Sequence, residues 1–268
     1  MRQKLPDFPW DALAPYGVIA RSHPEGAIDL SVGTPVDATP EFIQSALQQA
    51  ANSPGYPLTA GTPQLREAIQ KWARTQLGAT GDFGVLPLIG SKEFVAWLPT
   101  FIEAESVLYP KVAYPTYLVG ALLAQADATP VEIDPATWQS ADMAWVNSPS
   151  NPTGRVHSES ELRAAIAWGR EHQSLVVSDE CYFEFGDGVE PTSILKFTDG
   201  DNRNILAVHS LSKRSSMAGY RAAFVIGDPA LIAQILEVRK HAGMIVPLPV
   251  QQAMVAALSD SAHVAEQR

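Results

Sequence analysis

Lys213 stands in the run Ser210-Leu211-Ser212-Lys213-Arg214-Ser215, with Arg221 eight positions on. An amine among small hydroxyls, followed by a guanidinium, is what an aldehyde carrying a phosphate requires. The amine condenses with the aldehyde, and the guanidinium and hydroxyls hold the phosphate dianion. Lysine near serine is common on protein surfaces, so the run gains weight only from what precedes it. Asn147-Ser148-Pro149-Ser150-Asn151-Pro152-Thr153-Gly154 reads as a fixed turn able to present the Asn151 amide inward, or as a turn in which Asn151 caps itself. Asp179 and Tyr182, in Ser178-Asp179-Glu180-Cys181-Tyr182, could meet a protonated ring nitrogen and a phenolate oxygen; alone, Asp179 would equally read as a helix cap. Ser91 and Lys92, after Gly90, stand where helix amides bind phosphate, or form an ordinary cap. Tyr114, before Pro115, could stack on a flat ring or fill the core.

These residues need elements to hold them. Residues 1–38 are rich in Pro and Gly, lack clear periodicity and read as an arm. Thr39-Pro40-Glu41 and Thr62-Pro63 look like helix starts, with apolar residues at helical spacing behind each and Gly78 as the second stop. Short strands are then predicted at 85–89, 106–109, 129–133, 143–146, 174–177, 205–208 and 222–226. Helices are predicted at 91–101, 116–126, 158–172 (opened by the capping box Ser158–Glu161), 229–240 and 250–258. This alternation implies an α/β fold, a three-layer α/β/α domain with a mostly parallel sheet. Ligands of such sheets sit beyond the carboxyl ends of strands, where these motifs fall.

Bulk properties narrow the function. The chain has 268 residues, 46% hydrophobic, enough for one large core. A net charge of -10 argues against nucleic acid or anionic membrane as the main partner. A single cysteine, Cys181, forbids an internal disulfide and favours a cytoplasmic home. No apolar run follows Met1–Asp7 as in a secretory signal, and none reaches the roughly 20 residues of a membrane helix.

Asn-Pro-x-Gly, then Asp-x-x-Tyr after a strand, then Ser-x-Ser-Lys with Arg eight residues later resembles the class I/II aminotransferases, pyridoxal-phosphate enzymes of the type I fold, from about Leu30 to Arg221. The resemblance implies that Lys213 binds the cofactor aldehyde and later shuttles a proton. It implies that Asp179 keeps the pyridine nitrogen protonated, that Tyr182 and Asn151 bind the phenolate oxygen, and that Tyr114 stacks on the ring. Ser91, Lys92, Ser210 and Arg221 would bind the phosphate. Gly33, in Leu30-Ser31-Val32-Gly33-Thr34-Pro35, would let the backbone approach substrate, beside Asn151. Tyr56, in Gly55-Tyr56-Pro57, matches a tyrosine that reaches the phosphate of a neighbouring subunit, which implies a homodimer. No metal is implied.

The wording Gly33-Thr34-Pro35-Val36-Asp37, Pro54-Gly55-Tyr56-Pro57, Gly61-Thr62-Pro63-Gln64-Leu65-Arg66 and Ser212-Lys213-Arg214-Ser215 is similar to the actinobacterial-type succinyldiaminopimelate aminotransferases of lysine biosynthesis. These move an amino group between glutamate and N-succinyl-2-amino-6-oxopimelate. Family members carry a small C-terminal domain whose arginine grips the substrate carboxylate. The chain is therefore read as an arm (1–38), a cofactor-binding large domain (39–240) and the start of a connection to that domain (241–268), ending inside a helix. Arg239 is expected on a solvated helix face rather than in that arginine's role, and weak binding of carboxylate substrates is expected. Three rivals stay open: another aminotransferase or carbon–sulfur lyase on this scaffold, a cofactor-binding regulatory domain, and an inactive truncated remnant. The charge of -10 and the lack of a basic N-terminal module count against the regulator.

Overall fold

The computed structural model describes residues 5–30, 32–186 and 188–268. Residues 1–4 of the expected arm and Ser31 of the Leu30–Pro35 motif lie outside them. The helices are α1 (Pro9–Arg21), α2 (Glu41–Gln49), α3 (Pro63–Trp72), α4 (Ser91–Phe101), α5 (Thr116–Ala124), α6 (Glu159–His172), α7 (Leu211–Arg214), α8 (Pro229–Ala242), α9 (Leu248–Ser259) and α10 (Ala262–Gln267). The strands are β1 (Gly84–Ile89), β2 (Ser106–Pro110), β3 (Asp127–Val131), β4 (Met143–Asn147), β5 (Leu175–Asp179), β6 (Ile205–Ser210) and β7 (Ala222–Gly227). They form one sheet in the order β1-β7-β6-β5-β4-β2-β3, parallel except for β7, which runs antiparallel to both neighbours.

Alternating side chains of the sheet feed two cores. Val146, Val176, Ala207 and Phe224 pack towards α3, α6 and α9, while Trp145, Val177, Val208 and Val225 pack towards α4, α5 and α8. Strands β4 to β7 are buried at every position, as expected when both faces of a sheet carry helices. The two-faced core holds the carboxyl ends of β4, β5 and β6 level. Register pairs Asn147 with Asp179 and Asp179 with Val208, two residues before Ser210. The α/β fold is as expected.

Four expectations need correction. The segment 1–38 contains α1, whose start carries Pro9 and whose face buries no residue; too few apolar contacts hold it to give a readable stripe. Thr39 is not the cap of α2. Pro40 takes that position, and Thr39 Oγ1 instead donates to Ser216 O at 2.7 Å. Strand β3 begins and ends two residues earlier than the 129–133 run, because it pairs in parallel with β2 from Asp127 to Val131. Arg239 is fully buried, not solvated. Its Nη1 donates to both carboxylate oxygens of Glu93, at 2.8 and 3.1 Å, and ties α8 to the first turn of α4. That partner lies 146 residues away, beyond the reach of a helix pattern. No helix among the described residues is long and apolar enough to cross a membrane.

Candidate active site

A cavity of about 470 Å³ opens beyond the carboxyl ends of β4, β5 and β6. Ten of the eleven residues singled out in the sequence line it: Gly33, Ser91, Lys92, Tyr114, Asn151, Asp179, Tyr182, Ser210, Lys213 and Arg221. Tyr56 does not. It stands 99% exposed on its loop.

Asp179 ends β5 and is buried. Its Oδ1 accepts from the Cys181 backbone at 3.1 Å, and its Oδ2 accepts from the Tyr117 hydroxyl at 2.8 Å. The bond to Cys181 is the local cap that an isolated Asp suggested, but a turn rather than a helix follows it. Burial pushes the Asp179 carboxyl up from its ordinary range, while the donors at Cys181 and Tyr117 pull it back. An opposite charge in the cavity would complete that compensation. Asn147 ends β4. It donates to Asp179 O at 2.9 Å and to Pro149 O at 3.2 Å, and accepts from Asn151 N at 2.7 Å, so its side chain fixes the turn that carries Asn151.

Ser210 ends β6 and caps α7: its Oγ accepts from Ser212 N at 3.1 Å and bonds Ser212 Oγ at 2.9 Å. Lys213 follows one residue later, and its Nζ donates to Gly33 O. Burial lowers the Lys213 pKa, with Cys181 opposing, which favours the uncharged amine a nucleophile needs. Gly90, at φ +75°, leads into α4, and a Cβ there would lie 2.1 Å from Arg221 Nη2, so only glycine lets that guanidinium cross the helix start. Arg221 Nη1 is steadied by Ala218 O at 2.8 Å. Tyr114 packs edge-on against Tyr117, centroids 6.0 Å apart. Burial raises the pKa of Tyr114 and Tyr182, so both remain hydroxyl donors at neutral pH.

Lys92 sits under two rings of the N-terminal segment, 4.9 Å from the centroid of Phe8 and 5.3 Å from that of Trp10. The sequence reading missed Trp10, Tyr117, Asn147, Cys181 and Ser212, which also line the cavity. Tyr117 could have been found by asking which donor serves a buried Asp179. Trp10 carried no signal.

Among the described residues the wall holds three basic side chains, Lys92, Lys213 and Arg221, and one carboxylate, Asp179. In a chain of net charge -10 that local excess suits an anion. The model of "Aminotransferase class I and II" matches residues 25–268. The chain belongs to this family. The 4-dedimethylamino-4-oxo-anhydrotetracycline transaminase OxyQ of Streptomyces rimosus is 51% identical over 274 residues, covering 99% of this chain and 76% of OxyQ. The protein named "Probable aminotransferase Rv1178" of Mycobacterium tuberculosis is 52% identical over 276 residues, covering 98% of this chain and 65% of its own length. An LL-diaminopimelate aminotransferase of Dehalococcoides mccartyi is 31% identical, covering 92% of this chain and 69% of that enzyme. Among solved structures, aminotransferase AspB of Helicobacter pylori superposes with a TM-score of 0.90 at 27% identity, over 99% of this chain and 76% of AspB. A protein of Thermus thermophilus described as a probable N-succinyldiaminopimelate aminotransferase gives 0.85 at 25%, over 96% and 75%. The chain thus spans about two thirds to three quarters of these proteins. The family is dependent on pyridoxal 5′-phosphate, and the donor set fits that group: an amine for the aldehyde, a buried acid for the ring nitrogen, and hydroxyls with a guanidinium at a helix start for the phosphate.

Proposed function

We propose that this chain carries the reaction centre of an aminotransferase that moves an amino group between an amino acid and a 2-oxo acid. The observation that carries the reading is the convergence of Lys213, Asp179, Asn151, Tyr182 and Arg221 on one cavity. When bound, the cofactor supplies an aldehyde that accepts the amino group and a ring that takes up the electron pair released at the substrate Cα. With the cofactor bound, Lys213 Nζ would hold its aldehyde, and as a free amine it would carry the proton to and from the substrate Cα. Asp179, oriented by Tyr117 and Cys181, holds the ring nitrogen protonated. Tyr182 and Asn151 donate to the phenolate oxygen, and Tyr114 covers a ring face. Ser91, Lys92, Ser210 and Arg221 hold the phosphate, with the first amides of α4. The Gly33 backbone borders the substrate. Tyr56, exposed and outside the cavity, is assigned to the phosphate of a second copy in a homodimer.

The substrates we propose are N-succinyl-LL-2,6-diaminopimelate as donor and 2-oxoglutarate as acceptor, in a cytoplasmic lysine or diaminopimelate pathway. The motif wording, the Thermus neighbour's description and the LL-diaminopimelate aminotransferase relatives support this. The 51% identity to OxyQ favours a second reading, a cyclic ketone as acceptor. A coupled assay separates them. Glutamate formed from N-succinyl-LL-2,6-diaminopimelate and 2-oxoglutarate supports the first. Amination of a polycyclic ketone, with no glutamate from the diaminopimelate derivative, replaces it with the second. Thioether cleavage without transamination would sink both.

A further inference from the structure

A second cavity, of about 180 Å³, lies beyond the carboxyl ends of β2, β3 and β4. It shares Asn147 with the first cavity and is lined by Ser150 of the turn that carries Asn151. Its walls are mostly apolar: Val112 after β2, Ile133 and Trp138 after β3, Val146 on β4 and Ala165 on α6. The Trp138 indole N–H is already used, donating to Glu132 O at 2.7 Å. The cations at its edge are neutralised as well, Arg155 by Glu161 at 2.6 Å and Lys111 by Glu132 at 2.9 Å. A charged ligand would find no free counter-ion there.

Among the described residues of the lining, two buried polar atoms are left over, the Trp145 indole N–H and one ring nitrogen of His157. His157 Nδ1 is buried and has no hydrogen-bond partner. Burial pushes the His157 pKa down to about 4, so the ring is neutral at physiological pH. A neutral imidazole can exchange one hydrogen bond with a hydroxyl, which both donates and accepts. A dry apolar cavity of roughly 150 Å³ is large enough for a benzene ring. A ligand pressing on Asn147 and Ser150 would bear on the cofactor side, because Asn147 holds both the Asn151 turn and Asp179 O.

We propose that this cavity binds a small, uncharged, largely apolar molecule of about one ring that carries a hydroxyl, seated on His157, and that its occupancy is felt at the cofactor through Asn147. The test uses the cofactor-loaded protein with phenol and toluene as probes. Calorimetry should show saturable one-to-one binding of phenol. Ile133→Trp, placed on a partly exposed turn, should fill the cavity and weaken phenol at least about tenfold. His157→Leu should lower the ratio of phenol to toluene affinity by about tenfold, the value of one lost hydrogen bond. Phenol should also shift the visible absorbance of the bound cofactor in the wild type, and not in Ile133→Trp. No saturable binding, or equal binding in Ile133→Trp with an unchanged melting temperature, overturns the site. An unchanged phenol-to-toluene ratio in His157→Leu overturns the role of His157. Binding with a silent cofactor band overturns the coupling.

Discussion

The strand-end cradle and the N-terminal segment both contribute walls to the same cavity, yet they are held in different ways. Asn147, Asp179 and Ser210 end three strands that are buried at every residue, and each is tied by hydrogen bonds within the cradle. Helix α1 buries nothing. Among the described residues, Phe8 and Trp10 reach the site through Lys92, and Gly33 through Lys213 Nζ. Cation–ring contacts at such exposure are worth about 0.5–1 kcal/mol each, against tens of buried contacts for a core strand. The cradle is therefore built by the fold, whereas the front wall is laid on by the cavity's own lysines.

Four substitutions or titrations sharpen that contrast, from the largest effect to the smallest. Asp179→Ala removes the only carboxylate of the cavity wall among the described residues. Single-turnover kinetics should slow about a hundredfold or more, the size of losing close to 3 kcal/mol of charge stabilisation. A wild-type rate would take Asp179 out of its role. Tyr117→Phe strips one donor from that buried acid. Stability in urea should fall by about 1–3 kcal/mol, the usual range for a buried acceptor left unpaired, with Asp179 pushed further up. No loss would show that the cradle is looser than its bonds suggest.

The third check is pH. Lys213 is lowered by burial, so its amine is uncharged at lower pH than an ordinary lysine's, for which the pKa is about 10.4. The rate of cofactor uptake should rise with pH and reach half its limit below that value. A midpoint at or above it would contradict the burial effect. In folding terms the sign is the same: a lysine held low costs stability as pH falls, because the unfolded chain binds the proton more readily. The smallest effect is expected from Trp10→Ala. Stability should change by less than about 1 kcal/mol, while cofactor dissociation followed by fluorescence should speed up only a few-fold. Loss of folding would mean that α1 is part of the core after all.

The same contrast explains what could be read from the sequence. The fold was legible because β4 to β7 are short, mostly apolar runs, because a capped helix, α6, separates β4 from β5, and because capping signals at Thr62 and Ser158 form as read. The cofactor side was legible because chemistry-bearing residues sit at the ends of those strands, at fixed spacing along the chain. What escaped depends on partners distant in sequence. Buried Arg239 is paired with Glu93 across 146 positions, and Tyr117 meets Asp179 across 62. Helix α1 is too lightly packed to carry a stripe, so Trp10 gave no warning of its place in the cavity.

The central claim is that Lys213 is the amine of a pyridoxal-phosphate site, and it is tested most directly by adding pyridoxal 5′-phosphate to the purified protein and recording the visible spectrum. The wild type should develop a saturable absorbance band distinct from that of the free cofactor. Lys213→Ala should fail to develop it while keeping its fold by circular dichroism. The same band in Lys213→Ala, or none in the wild type, would contradict the account.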